Sequence, residues 1–418
     1  MASPPQPVDQ FDVVKAAEAL LESAKAFASA VQAGNLSKPA EDDMRRSIGG
    51  AAQKMAAETL SPIDLAKSEY VVMADLASSN ILMTWKAFDH IPTSGSISIA
   101  DLAKAVEAQE SLVARLCGFL LSTGKLLPGA LPNHVRHSRF SRICVSTSPF
   151  YSMNAIHAGN GVRSFALWPQ YFATYGRAEP PRVTHTPFSF AWGHPELAPW
   201  EVKALYPEYA ALFAQGMESK VMVGGGMRWA GEDAFYDLGW LAAEEGEGGV
   251  VVDVGGGLGQ LLKDVLADVP GVGPGRCVLQ DRREVIDQAV AKADPALAGA
   301  AMMEHDFHVE QPVKGASVYL VRRILLDYPD SMATGILRQL ADAMSADKPK
   351  ARVLIVEERL SEPPEATNRI VDTMMLNIGG KLRNREMMTE VAEAAGLKVV
   401  GYHVKGSSPM YVMECAKA

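Results

Sequence analysis

The stretch GVVVDVGGGLGQLLKDVLADVP, residues 249–270, constrains the fold more than any other part of the chain. A β-branched run is followed by Gly255, Gly256, Gly257 and Gly259, and then by apolar residues at helical spacing. That order reads as strand, tight turn and amphipathic helix. Glycines permit backbone conformations closed to other residues and let a ligand approach the main chain closely. Downstream, GRCVLQD, ASVYLVRRIL and ARVLIVEERL are further strand-like runs, and segments such as SMATGILRQLADAM between them have helical periodicity. Strands alternating with helices imply an α/β domain on a parallel, doubly wound sheet, whose ligands sit at the carboxyl ends of the strands.

The rest of the chain has a different texture. FDVVKAAEALLESAKAFASAVQAG, from Phe11 to Gly34, predicts an amphipathic helix of a kind that packs on a partner subunit. Between Pro62 and Gly129 the spacing predicts three helices, one of them capped by a serine in SIADLAKAVEA and one closed by Gly124, with a short extended tip at IPTSGSIS. Three helices and such a tip suggest an all-helical, winged-helix N-terminal domain with a dimerising or structural role. Residues 140–240 are rich in aromatics, Met and His, as in FALWPQYFATYG and TPFSFAWGHPELAPW. These side chains suit a pocket for a flat apolar ligand and equally suit an ordinary core. EEGEGG then marks a boundary. The domains expected are residues 1–135, 136–240 and 241–418.

Composition excludes some partners. With 418 residues, a net charge of −9 and a pI of about 5.6, the chain has no global positive field for a phosphate backbone, so nucleic acid is not expected. Cys117, Cys144, Cys277 and Cys415 are scattered and form no metal-ligand spacing with histidine. The polar, Pro-rich start MASPPQPVDQ lacks a signal-peptide pattern, and no apolar run is long enough to span a bilayer. A cytoplasmic protein without metal is expected.

A glycine-rich turn alone does not separate a dinucleotide site from other nucleoside sites. Its company narrows the choice. Asp253 ends the first strand, and roughly 20 residues beyond the turn LQD places Asp281 where a carboxylate can hold two ribose hydroxyls. EHDF then supplies Asp306 and Phe307, suited to holding and stacking on an adenine. In this order VVDVGGGLG, LQDRREVI, EHDF, VYLVRRILLDYPD, VLIVEE and DTMMLNIGGKLRNREMMTEVAEAAGL resemble the S-adenosylmethionine-dependent O-methyltransferases of small-molecule metabolism, in particular the fungal secondary-metabolite type related to the plant caffeate enzymes. The resemblance implies a class I, Rossmann-like methyltransferase domain, an N-terminal dimerisation domain, a homodimer and a small apolar or aromatic natural-product substrate. It also assigns Asp253, Gly255, Gly257, Asp281, Asp306 and Phe307 to S-adenosylmethionine.

One position departs from the family. Members that methylate usually carry His-Asp where this chain has Leu326 and Asp327, and that His removes a proton from the substrate hydroxyl. Leucine has no lone pair, and a positioned base contributes on the order of 10²–10⁴ in rate. Of the two acids that flank the family's His, Glu357 matches one, and Leu382 replaces the other. Two aliphatic replacements beside an intact cofactor loop suggest a repurposed site. Some fungal relatives of this fold are pericyclases, which shape a polyene or quinone methide and do not need to consume the cofactor. Such chemistry requires a pocket that enforces one conformer and donors for a developing oxyanion, for which Arg322, Arg323, His157 and Lys381 are candidates. His157, His185 and His194 could instead act as a substitute base or be structural, and the arginines could be cofactor contacts or surface charges. The expectation is a non-methylating cyclase, with an active O-methyltransferase as the alternative and an inactive dimerisation partner as a third reading.

Overall fold

In the computed structural model the described residues are 12–34, 36–223, 227–243, 251–406 and 408–418, so the MASPPQPVDQ start and the EEGEGG boundary lie outside them. The chain divides into two compact units, Met1–Ser141 and Arg142–Ala418. The aromatic-rich helical span from residue 142 therefore belongs to the same unit as the large sheet.

The first unit contains α1 (Val13–Gln32), α2 (Lys38–Thr59), α3 (Pro62–Thr84), α4 (Ile99–Ala105) and α5 (Glu110–Ser122). Short polar side chains start α1, α3 and α4: Asp12 Oδ1 accepts from the Lys15 N–H at 3.0 Å, Ser61 Oγ from the Asp64 N–H at 3.2 Å and Ser98 Oγ from the Asp101 N–H at 3.0 Å. Helix α2 is polar on average, with Met44, Ile48, Ala52 and Met55 spaced along its half-buried face. The all-helical expectation is corrected here. Strands β1 (Ile97–Ser98), β2 (Leu126–Pro128) and β3 (His134–His137) make a small antiparallel sheet in the order β1-β3-β2. Gly124 stops α5 at φ 74°, and Gly129 sits where a Cβ would lie 2.5 Å from His134 Cβ, so the bare backbone lets β2 and β3 close.

The second unit is built on a seven-stranded sheet: β4 (Val251–Val254), β5 (Cys277–Asp281), β6 (Ala301–Glu304), β7 (Val318–Arg322), β8 (Arg352–Glu358), β9 (Leu397–Val404) and β10 (Met410–Lys417), in the order β6-β5-β4-β7-β8-β10-β9. Strands β4 to β8 pair in parallel, whereas β10 is antiparallel to both β8 and β9. The parallel, doubly wound sheet expected from sequence thus carries an antiparallel hairpin at one edge, because residues 405–409 between β9 and β10 are too few for a crossover.

Short helices precede the sheet: α6 (Tyr151–Ile156), α7 (Val162–Ala166), α8 (Trp168–Tyr175), α9 (Pro187–Ala191), α10 (Pro199–Ala204) and the longer α11 (Pro207–Val223). Four helices flank the sheet, α12 (Gln260–Asp268), α13 (Arg283–Lys292), α14 (Asp330–Ala343) and α16 (Arg385–Ala394), with α15 (Ala366–Leu376) after β8. Alternate strand residues serve opposite cores. Val252, Tyr319 and Ile355 lie in one buried cluster with Ile336 and Leu337 of α14 and Val391 of α16. Val251, Leu320 and Leu354 lie in the other with Leu262 and Val265 of α12 and Ile286 of α13. Both faces are covered, which is why these strands read as unbroken apolar runs.

Candidate active site

The glycine turn after β4 forms a cradle. Gly255, Gly257 and Gly259 have φ of 64°, 59° and 76°, and a Cβ on Gly257 would meet nothing within 4 Å. Gly256 covers Asp253, whose Oδ2 would lie 2.5 Å from a Cβ there. Asp253 is 1% exposed, and that oxygen has no hydrogen-bond partner among the described residues. Burial pushes its pKa up to about 7, with Arg322 at the end of β7 opposing and Asp281 adding to the rise. Asp281, at the end of β5, accepts from the Gly257 N–H and the Arg282 N–H, each at 2.8 Å. Its carboxylate is therefore oriented before any ligand arrives. Phe307 closes the other side, with a ring carbon 3.3 Å from where a Gly255 Cβ would stand. Asp306 is exposed and accepts from the His308 N–H at 2.9 Å. An open backbone cradle, an orphaned carboxylate oxygen, an acid fixed by two backbone donors and a half-buried aromatic face fit the adenosine portion of S-adenosylmethionine.

Next to the cradle lies the turn after β7. Ile324 reaches under Gly255, with its Cδ1 2.6 Å from the ideal Cβ position. Glu357 of β8 is 1% exposed, and its Oε1 accepts from the N–H groups of Ile324 at 3.0 Å and Leu325 at 2.9 Å. That oxygen holds the turn, while Oε2 is buried with no partner among the described residues. Leu326 is 8% exposed, and its carbonyl accepts from the Lys381 N–H at 2.9 Å. Leu382 is 1% exposed and gives its N–H to Asp372 Oδ1 of α15 at 2.9 Å.

Arg383, which sequence reasoning missed, is buried under this turn. It donates to the carbonyls of Leu325 and Tyr328 and to Asp330 Oδ1, each at 2.8 Å. Lys381, considered above as an oxyanion donor, is held by Glu179 at 2.6 Å and Asp330 at 3.2 Å. Arg323 has φ 54° and directs Nη2 to Met410 Sδ at 3.6 Å.

Two results are expected from this turn. A Cβ on Gly380 would lie 2.0 Å from the Leu326 carbonyl oxygen and 2.8 Å from the Asp327 carbonyl carbon, so Gly380→Ala must push backbone against backbone. It should cost on the order of 1–3 kcal/mol in denaturant unfolding. Gly118→Ala, in open space on α5, should be neutral or stabilising.

The second result concerns pH. Burial, then the charge of Asp327, pushes Glu357 from 4.5 up to about 8. Between those values the folded protein keeps a proton that the unfolded chain has lost, so raising pH through this window removes stability that is present below it. Asp253 acts with the same sign between 3.8 and about 7. In a series of melting curves across that window, Glu357→Gln should show a smaller fall in Tm with rising pH than the parent.

The aromatic span forms a wall against the end of α15. Trp168 Nε1 donates to Asn377 Oδ1 at 2.7 Å, and the Phe188 N–H donates to the Asn377 carbonyl at 2.8 Å. Trp192 stacks on Tyr209 with centroids 5.3 Å apart, and Arg163 lies 4.6 Å over the Trp192 ring. His157 is exposed at the start of a π-turn, His157–Gly161. His185 is exposed in a left-handed conformation with its ring by Tyr175, and His194 Nε2 contacts Tyr206 Oη at 3.3 Å.

Trp200 on α10 reaches Tyr328, with centroids 6.0 Å apart, and Tyr328 in turn contacts Phe307 at 5.9 Å and His308 at 5.0 Å. Lys203, three residues on, was also missed. A surface concavity of about 420 Å³ lined by Arg385, Glu386, Thr389, Glu390, Glu393 and Val399 contains no residue of this site. Among the described residues no cluster of potential ligands could hold a metal ion, and no helix is long and apolar enough to cross a membrane.

Comparison with known proteins agrees with this geometry. Residues 176–398 match the O-methyltransferase domain family. The methyltransferase cfoD of Aspergillus candidus is 37% identical over 387 residues, covering 90% of this chain and 93% of that protein. The methyltransferase pynC of Aspergillus niger is 35% identical, covering 84% of this chain and 96% of that protein. Among solved structures, OxaC in complex with sinefungin and meleagrin superposes with a TM-score of 0.83 at 21% identity, covering 97% of this chain and 99% of that one. LepI C52A in complex with SAH and a substrate analogue superposes with a TM-score of 0.77 at 22% identity, covering 95% of this chain and 100% of that one. A glycine cradle backed by Asp253 and Asp281, a family match over more than half the chain and relatives above 30% identity lead to one conclusion: the chain belongs to the O-methyltransferase family.

Proposed function

We propose that the protein transfers a methyl group from S-adenosylmethionine, the cofactor of this family, to an acidic hydroxyl or N–H of a small, largely apolar natural product. The observation that carries this is the complete donor cradle abutting the Leu326 turn, with Ile324 under Gly255 and Asp281 fixed by the Gly257 N–H. The cofactor supplies a methyl carbon on a sulfonium, electrophilic enough to be taken by an ionised nucleophile. The chain's residues then have defined tasks. Asp281 receives the ribose hydroxyls, Phe307 and Tyr328 flank the adenine side, and the aromatic wall excludes water from the acceptor. Leu326 packs against the acceptor and takes no proton.

Relatives above 30% identity that are named methyltransferases support this reading. The cyclase reading stands second. Leu326 and Leu382, both aliphatic where the family carries ionisable groups, favour it. A solved structure described as a pericyclic reaction enzyme superposes with a TM-score of 0.74 at 20% identity, a likeness of fold alone. We include in the proposal a homodimer formed through the N-terminal helices, where α1 has no buried residue and Val14, Ile63, Tyr70 and Met73 are 67–70% exposed.

Deleting the gene in its host and comparing metabolites by mass spectrometry tests the choice. Accumulation of a compound one CH2 lighter than the final product is the expected result. Accumulation of an isomer of the product, or of a compound differing by water alone, would support the cyclase instead.

A further inference from the structure

Lys203 is a half-buried cation with no carboxylate at ion-pair distance among the described residues. Its Nζ lies 3.6 Å from the centroid of the Phe213 ring on α11. It shares a face of α10 with Trp200, because residues three apart on a helix are neighbours. Trp200 touches Tyr328, the residue that follows Leu326 and Asp327 in the chain. The charges that act on Lys203 belong to the same place: Asp327 from that turn and Arg282 from the residue after the ribose-binding Asp281. Helix α9, packed on α10, has the sequence PFSFA and adds no charge, and α11 presents the Phe213 ring. Lys203 thus stands by the junction of the donor cradle and the Leu326 turn.

Leucine at 326 leaves the transfer without its usual proton acceptor, and an amine can be one once its pKa is brought toward neutrality. Burial, opposed by the charge of Asp327 and aided by that of Arg282, lowers Lys203 from 10.5 to about 8. A usable fraction of the amine is then unprotonated near neutral pH.

We propose that Lys203 is the proton acceptor of the methyl transfer, doing from α10 what a histidine at 326 does elsewhere in the family. This rests on the methyl-transfer reading. The Nζ lone pair bonds the acceptor's O–H or N–H proton, and the electrons of that broken bond stay on the oxygen or nitrogen. That pair forms the new bond to the methyl carbon as the carbon–sulfur bond breaks with its electrons left on sulfur. The resulting ammonium lies over the Phe213 ring and within the field of the Asp327 charge, both of which favour the charged form, and it later releases its proton to water.

The test begins with trace acetylation of the purified protein, saturated with S-adenosylhomocysteine, over a pH series, each lysine being read by peptide mass spectrometry. Lys203 should titrate near 8, well below surface lysines at about 10.4. Asp327→Asn should lower it further. Lys203→Met and Lys203→Arg should both retain S-adenosylhomocysteine binding by calorimetry and both lose methyl transfer by about 10²-fold or more, since a guanidinium stays protonated. Titration of Lys203 together with the surface lysines overturns the proposal, as does full turnover by Lys203→Arg, which would mean that positive charge alone suffices. A low-titrating Lys203 in a wild-type protein that methylates nothing overturns the methyl-transfer reading itself and the assigned role with it.

Discussion

Arg383→Met destabilises the protein by on the order of 3–5 kcal/mol and loosens the turn that carries Leu326. The guanidinium is 1% exposed and joins three separate backbone or side-chain oxygens, Leu325 O, Tyr328 O and Asp330 Oδ1. Methionine fills similar volume but leaves the buried Tyr328 carbonyl without its donor, at about 1–3 kcal/mol, and strips the charged donor from the Leu325 carbonyl, which keeps only the Tyr328 N–H at 3.2 Å. Asp330, whose burial works against its ionisation, is held below the ordinary carboxylate pKa chiefly by Arg383, with Lys381 contributing. Chemical denaturation checks the loss. Cofactor affinity should fall as well, because Tyr328 contacts Phe307 through this same turn. Arg383→Lys should recover little, since a single ammonium cannot reproduce a planar fork that reaches three oxygens.

The second large effect is expected at Asp281. Both of its oxygens are already oriented by backbone donors, Gly257 N–H and Arg282 N–H, so in the proposed role it would bind a ribose diol without first giving up rotational freedom. Two hydrogen bonds to a charged acceptor, at about 1.5–3 kcal/mol each, correspond to a loss of at least about 10²-fold in affinity when the carboxylate is removed. Calorimetry of Asp281→Ala with S-adenosylhomocysteine measures this. Asp281→Asn, which keeps an acceptor oxygen but not the charge, should fall between the two. A loss below tenfold in Asp281→Ala would mean that the ribose is held elsewhere.

The cradle was legible in the sequence because its parts are local. Four glycines after a β-branched run, an acid ending the next strand and Asp306-Phe307 after the third each follow from chain order in a doubly wound sheet. The hairpin edge was not legible, because LKVVGYHV and MYVMECAK read as strands of either direction until the short connection between them is counted. Glu357 was found, but as a partner of the missing histidine. In the structure it is a clamp on two backbone N–H groups, a role that depends on the register of β8 against β7. Arg383 and Asp372 escaped notice because nothing in GGKLRN or NRIVDTMML shows that the first segment lies against the helix formed by the second. Lys203 escaped for a similar reason: its setting is made by Trp200, Phe213 and Asp327, which are scattered in sequence and meet only in the folded unit.

The central claim is that a methyl group moves although residue 326 is leucine. Its most direct test incubates the purified protein with S-adenosylmethionine bearing a deuterated methyl group and a metabolite extract from the host lacking the gene, followed by mass spectrometry. The expected result is a single small molecule that gains the deuterated methyl, with an equivalent amount of S-adenosylhomocysteine. A product that forms without the label while the cofactor is recovered intact would contradict the claim and leave the cyclase.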